Sequence, residues 1–514
     1  MSIARTIKRY LAGKTKLEQT LSTVLCRLGP YGDTFTVREA CQGLLCFGEI
    51  GSGKSCLMNS LFLESFLRCG MNGIISVVKS GEGAEIARIA KACGREKDLI
   101  VFNEETNLSF SLLEYVLNRK DSSAKEITNL SNLLMRIYRI TKSYRENSQT
   151  GSNDHYWEDS LESLIQFIIQ LLILAKEPVN IINMQQVILD LLTEDELKRY
   201  NTIWADLNNP HIPAERQDEI WTDYMKWANS NAFLRAFQKV NERNDLAEDE
   251  MQMLKQVGDF FLKIFPKLSE KTTSVIVQSF ITLTQPFQSG MLRKHFTEGV
   301  SDELRPENCF ENNKIIIIDF PVKSWGLPGI YAASICKEAF QLAAERRIID
   351  DDSAGKASFI WIDEAHHLLT NNDTSFQLTA RSKNIACVYI TQTLPSIKAT
   401  LGESAGQERV KSLVSNLGLK IFLANSCTDT NSWASKLIGQ YRAETVSSVI
   451  GGDRSGSRTY SETLRDIVPP EEFAKLRTGG PPQYKIEAIM FKAGKKWKSG
   501  ENFNRVIFDQ KIKR

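Results

Sequence analysis

The residues most able to do chemistry begin at Gly48. The stretch "GEIGSGKS" runs from Gly48 to Ser55 and fits the spacing GxxxxGK(S/T). Its glycines let backbone N–H groups curl inward around phosphate oxygens, and a helix starting directly behind them adds its positive amino end. Lys54 can reach β and γ phosphates as a point charge, and the Ser55 hydroxyl can ligate Mg²⁺. Gly48, Gly51, Ser52, Gly53, Lys54, Ser55 and Cys56 are therefore the expected seat of a polyphosphate such as ATP.

Phosphoryl transfer to water also needs a carboxylate to hold the metal and a group to activate the water. Two apolar runs end in acid. "IIIID" ends at Asp319 and "FIWID" at Asp363, which Glu364 follows. A buried strand that delivers Asp and Glu at its end meets both needs, so Asp363 is the expected metal ligand and Glu364 the expected water-activating group. Asp319 lacks such a neighbour and reads as a strand end. The plainer alternative for Asp363-Glu364 is an acidic helix cap, because "EAHHLL" reads as helix. A third run, "NIACVYITQ", ends in Gln392. An uncharged amide at the tip of a neighbouring strand can sense the γ-phosphate or hold water.

These residues have to be positioned by strands that end where helices begin. "GLLCFG", "GIISVVK", "LIVFN", "KIIIIDF", "ASFIWID", "NIACVYITQ" and "LGLKIFLANS" read as buried strands, with helical stretches between several of them. Such alternation argues an α/β fold with a mostly parallel sheet covered by helices on both faces. Between residues 115 and 300 the character changes. Only four of the 30 glycines fall there, and stripes such as Ile127, Leu130, Leu134, Ile137 and Tyr138, or Leu161, Leu164, Ile165, Ile168, Ile169 and Leu172, recur at helical spacing. The expected organisation is a basic arm over 1–30, a first part of the core over 31–114, an all-helical insertion over 115–300, and the second part of the core with its tail over 301–514. The Gly/Ser-rich stretch "SSVIGGDRSGSRTYSE" reads as a mobile loop.

Composition narrows the function classes. The chain has 514 residues and a net charge of +2, so any nucleic-acid contact must come from local patches or a charged pore. Ten cysteines form no CxxC pair and mostly sit in apolar runs, which suits a reducing compartment. The histidines show no metal-binding spacing, and His366 beside His367 is poor geometry for joint ligation. The stretch "LESLIQFIIQLLILA" carries Glu162, Gln166 and Gln170 and is shorter than the roughly 20 residues a bilayer needs, so it reads as a core helix. Arg5, Lys8, Arg9, Lys14 and Lys16 precede the first acid, Glu18, with no apolar signal-peptide core, and read as a solvated helix end or a contact arm. The expected location is cytoplasmic, or peripheral at the inner membrane through a partner.

Taken in chain order, "GEIGSGKS", "VVKSGEGAEIARIAKACG", "NLSFSLLEYV", "HYWEDSLESLI", "IIIIDFPV", "FIWIDEAHHL", "ARSKNIACVYITQTLPSI" and "NLGLKIFLANSCTDTNSWASKLIG" resemble the conjugative coupling-protein ATPases of type IV secretion, the TraD/TraG group within the FtsK/HerA translocase superfamily. The resemblance implies a RecA-like core, a helical domain inserted in it, ATP and Mg²⁺ as cofactors, and a homo-oligomeric ring of six around DNA. It assigns Gln392 the strand-end glutamine role and Arg381, in "ARSKN", a charge-stabilising role that acts between subunits; Arg409 is the weaker rival. Members of the family usually carry N-terminal transmembrane helices, and no stretch here reads as one. The expected activity is ATP-driven movement of DNA with relaxosome, secretion or defence partners. The alternative is an ATP-dependent scaffold or switch that recruits a partner protein.

Overall fold

Apolar runs without alternation can be buried only where a sheet is covered on both faces. The computed structural model, which describes residues 19–119, 127–145, 154–349, 356–401, 406–450 and 456–510, has such a sheet. Strands β1 (Val24–Leu28) and β2 (Asp33–Thr36) pair as a small antiparallel hairpin ahead of it. The large sheet is built from β3 (Leu44–Phe47), β4 (Asn72–Ser76), β5 (Leu99–Phe102), β6 (Ile315–Ile318), β7 (Ser358–Ile362), β8 (Ile385–Thr391) and β9 (Leu419–Phe422). Strands β10 (Gln440–Ile450) and β11 (Gly456–Asp466) form a separate hairpin, and β12 (Lys485–Lys492) and β13 (Phe503–Asp509) return to the sheet. The spatial order is β13-β12-β9-β3-β8-β7-β4-β6-β5. The seven strands from β9 to β5 are parallel, whereas β12 and β13 join antiparallel at one edge.

Every residue of β3, β7 and β8 is buried. Leu44 and Cys46 of β3 share a core with Met58, Phe62 and Phe66 of the helical stretch 54–68. Phe47 faces the other side, stacked on Phe422 and edge-on to Trp433 of the helix Thr428–Ile438. This is an α/β RecA-like architecture.

The chain divides into two compact units. The first contains the sheet and takes residues up to Phe102, Pro306–Gly326 and Lys337–Arg514. The second takes Asn103–Arg305 and Leu327–Cys336 and is built of helices. Its long helices Ile127–Arg145 and Asp154–Leu174 bury the striped residues Leu130, Leu134 and Ile137, and Leu161, Leu164, Ile165, Ile168, Ile169 and Leu172. Local caps stop and start its turns: Thr193 and Glu196 form a reciprocal capping box, and Asn180, Asn231 and Ser269 each cap a helix with a side-chain oxygen.

Two readings from the sequence differ from the structure. The stretch read as a mobile loop is mostly β10 and β11, which pair over eleven residues each; residues 451–455 lie outside the described residues. Thr445, Val446, Val449, Ile450, Thr459 and Tyr460 carry β-propensity that the glycines and serines masked. The "EAHHLL" stretch is only a 3₁₀ turn, Ala365–His367, and the helix proper starts at Asn371. Within the segment read as an arm, residues 1–18 lie outside the described residues and Val24–Leu28 is strand β1.

Candidate active site

The loop between β3 and its helix has the shape the glycines demand. Gly51 and Gly53 have φ of 82° and 87°, left-handed values that cost a glycine nothing. A Cβ on Gly48 would meet Ser52 Oγ at 2.5 Å, and one on Gly53 would meet Ile486 Cδ1 at 2.7 Å, so the backbone bends where side chains could not follow. Lys54 is buried and donates to the carbonyls of Gly48 at 2.5 Å and Glu49 at 3.1 Å. Ser55 and Cys56 stand in the first turn of the helix that begins at Lys54. Ser52 Oγ is buried with no hydrogen-bond partner. A buried donor without a partner costs about 1–3 kcal/mol.

Strand β8 lies between β3 and β7, so Gln392 at its tip separates the loop from the acids that end β7. Asp363 and Glu364 are both buried. Asp363 Oδ1 accepts the Glu364 N–H at 2.9 Å, and Oδ2 lies 3.9 Å from Lys79 Nζ. Burial, and after it the charge of Glu82, push Asp363 up to about 7 despite Lys79. Glu364 has φ 44° and ψ 50°, a left-handed backbone that costs a residue with a Cβ about 1–3 kcal/mol. Its Oε1 accepts Gln392 Nε2 at 3.2 Å; its Oε2 is buried without a hydrogen-bond partner. The Gln392 carbonyl accepts Asn425 Nδ2 at 2.8 Å, from the end of β9. The next residue, Ser426, donates its N–H and hydroxyl to Glu49 of the loop at 3.2 and 3.1 Å.

The turn that carries Glu364 is anchored from below. Lys337 Nζ donates to the Leu368 carbonyl and to Asp373 Oδ2, both at 2.6 Å. Gln341 and Tyr389 reach Asp373 Oδ1 at 2.8 and 3.1 Å. Burial would raise Asp373, but Lys337, the Thr370 N–H and Gln341 outweigh it and hold the carboxyl below its ordinary value.

The structure thus brings Lys54, Ser55, Asp363, Glu364 and Gln392 to the carboxyl ends of three adjacent strands. Asp319 ends β6, four positions from β3 in the sheet, or roughly 19 Å at ~4.8 Å per strand. Its carboxylate fills the space beside Gly83, where a Cβ would meet Asp319 Oδ2 at 2.3 Å. Arg381 is not brought in. It is exposed, caps the helix Asn371–Ala380 and precedes β8 at the amino end of the sheet, on the order of 25 Å of strand away from Gln392. Arg409 is exposed on the helix Gly406–Asn416. Sequence reasoning did not single out Glu49, Lys79, Thr391 or Asn425. Each stands within a residue or three of a strand end, which is the one signal that could have flagged them.

Residues 359–478 match the family described as the TraM recognition site of TraD and TraG. No curated protein matches the chain by sequence. Among solved structures, the plasmid coupling protein TrwB in complex with the non-hydrolysable GTP analogue GDPNP superposes with a TM-score of 0.57 at 13% identity, covering 100% of this chain and 93% of that one. TrwB with ADP and Mg²⁺ gives 0.54 at 15% identity over 100% and 94%, and TrwB with the ATP analogue ADPNP gives 0.55 at 14% over 100% and 93%. Among the described residues no helix is long and apolar enough to cross a membrane. Residues 359–478 are thus similar in sequence to the TraM recognition site of TraD and TraG, and the chain is similar in fold to the plasmid coupling protein TrwB.

Proposed function

We propose that this chain is an ATP-hydrolysing, ring-forming DNA translocase of the conjugative coupling type. The observation that carries the reading is the convergence of Lys54, Asp363, Glu364 and Gln392 at one end of β3, β7 and β8. The site fits a magnesium nucleotide. Ser52 Oγ is an unpaired buried donor within the loop, and the left-handed backbone at Gly51 and Gly53 suits N–H groups that turn toward one anion. Lys54 and the N–H groups of the loop and helix start would hold phosphates; Ser55 and Asp363 would hold Mg²⁺, which supplies charge neutralisation on the phosphate oxygens. Glu364 orients the attacking water and accepts its proton, and Gln392 fixes the carboxylate through Oε1. Arg381 stands too far from its own site to touch it and acts on the site of a neighbouring subunit in a ring of six. The grip on DNA is sequence-tolerant and charge-based, which a chain of net charge +2 can supply through a few pore residues per subunit. The TraM recognition likeness of 359–478 supports a relaxosome protein as partner.

The test is ATP hydrolysis by purified protein with and without DNA, together with displacement of a strand or roadblock along DNA. DNA-stimulated turnover with directional movement is expected. ATP-dependent assembly with no response to DNA would replace this reading with the scaffold or switch.

A further inference from the structure

One ring lies against Glu364 and against the residue that precedes Gln392. His366 Nδ1 is 3.2 Å from the Thr391 hydroxyl and 3.7 Å from Glu364 Oε2. Thr391 is the residue before Gln392, and Glu364 Oε2 has no hydrogen-bond partner. The His366 ring thus lies beside the free oxygen of the carboxylate whose other oxygen Gln392 already holds. The main chain that carries the ring is anchored: the His366 carbonyl accepts the Thr400 hydroxyl at 2.7 Å, from the helix Leu394–Leu401 that follows Gln392. A carboxylate beside Nδ1 favours the tautomer with its hydrogen on Nδ1, because the other would set two lone pairs against each other.

We infer that His366 is a positioning residue for hydrolysis: its Nδ1 edge, bonded to Thr391 and lying 3.7 Å from Glu364 Oε2, limits the rotation of the Glu364 carboxylate and ties the tip of β7 to that of β8. A carboxylate held by one oxygen still turns about its last bond. A second donor near Oε2 selects which lone pair faces the attacking water and keeps Glu364 and Gln392 at constant spacing. The inference rests on the hydrolytic reading of this site and adds a residue to it.

The test compares four single variants and one double variant in steady-state ATP hydrolysis, with binding of a fluorescent ATP analogue measured beside it. An asparagine amide superposes on the Nδ1 position of histidine, and a glutamine amide on Nε2. His366→Ala should lower kcat about 10- to 100-fold while KM and nucleotide affinity stay within about threefold, as expected when only transition-state alignment is lost. His366→Asn should recover most of that loss and His366→Gln should not. Thr391→Val should lower kcat in the same direction, and combining it with His366→Ala should add little, because both act through one contact. If His366→Ala does not fold, the asparagine and glutamine variants carry the test, and equal rates in the two overturn the inference. Wild-type turnover in His366→Ala overturns it as well. A wild-type protein with no ATP turnover, with or without DNA, removes the hydrolytic reading itself and this inference with it.

Discussion

The two ends of the parallel strands differ in which charged groups they gather. At the carboxyl end, Ser52 Oγ and Glu364 Oε2 are buried without partners, Glu364 is left-handed, and Asp363 is driven up to about 7 by burial and Glu82. At the amino end the cations meet acceptors: Lys420 Nζ donates to the Leu417 carbonyl at 2.5 Å, and Lys492 donates to the Gln42 side chain. Buried atoms without partners and left-handed residues also occur at the amino end, Gln377 Oε1 and Asn384 among them, so these features alone do not set the ends apart. The carboxyl end differs in gathering them beside a buried lysine, two buried acids and an amide, the set that the proposed function reads as a binding site. The amino end carries the exposed Arg381.

The largest expected effect is Lys54→Ala, which should abolish ATP hydrolysis by removing the point charge on the phosphates. Residual turnover above background in that variant would put the phosphate seat elsewhere. Arg381→Ala tests whether the amino end serves a neighbour. It should bind ATP normally and lose about 10³–10⁵ in rate, the usual worth of an arginine acting on the transition state. Mixing Arg381→Ala with Lys54→Ala subunits should restore part of the activity, because some boundaries then hold an intact Lys54 and an intact Arg381. A loss below tenfold would return Arg381 to the surface.

Next in size is the choice between acids. Glu364→Gln should bind ATP and hydrolyse it about 10²–10⁴ more slowly, the range for losing general-base help. Asp319→Asn, two strands from Asp363 in the sheet, should stay within a few fold of wild type. The reverse pattern in the same assay would move the catalytic carboxylate to β6.

The smallest effects are on stability, and both ends contribute with the same sign. Burial, with His366 next, depresses His367 to about 4, so its stabilising contribution is complete above the unfolded value of 6.5 and is lost as pH falls to about 4. Burial, with Lys492 next, depresses Lys420 to about 8, so its contribution is complete above 10.5 and is lost as pH falls through about 8. Each is worth on the order of 3 kcal/mol across its window. Thermal melting of nucleotide-free protein should show His367→Gln flattening the change between pH 4 and 6.5, and Lys420→Met flattening it between pH 8 and 10. Parallel melting curves for wild type and variant in either window would show that the group in question is not linked to folding.

Much of this was legible in the chain. The loop from Gly48 to Ser55, the strands and the helical stripes of 130–172 follow from local rules: glycine where backbone must bend, unbroken apolar runs where both faces are covered, 3.6-residue spacing where one face is. The hairpin β10–β11 was misread because glycine and serine carry a loop signal that cross-strand pairing overrode. His366 was weighed only as a metal ligand beside His367, since nothing in sequence tells that its neighbour in space is Thr391, 25 residues on.

The sequence by itself determined which residue types were available: a lysine and hydroxyls after glycines, an Asp-Glu pair and a Gln at the ends of buried runs. Those are statements about neighbours along the chain, and covalent order carries them. Only the tertiary structure decided that β8 lies between β3 and β7, which brings Gln392 onto Glu364 and leaves Asp319 two strands beyond Asp363. It also decided that Arg381 is at the far end of the same strand that delivers Gln392. Strand order is set by which faces bury each other across hundreds of residues. No local rule encodes it, and the chemistry of this site depends on it.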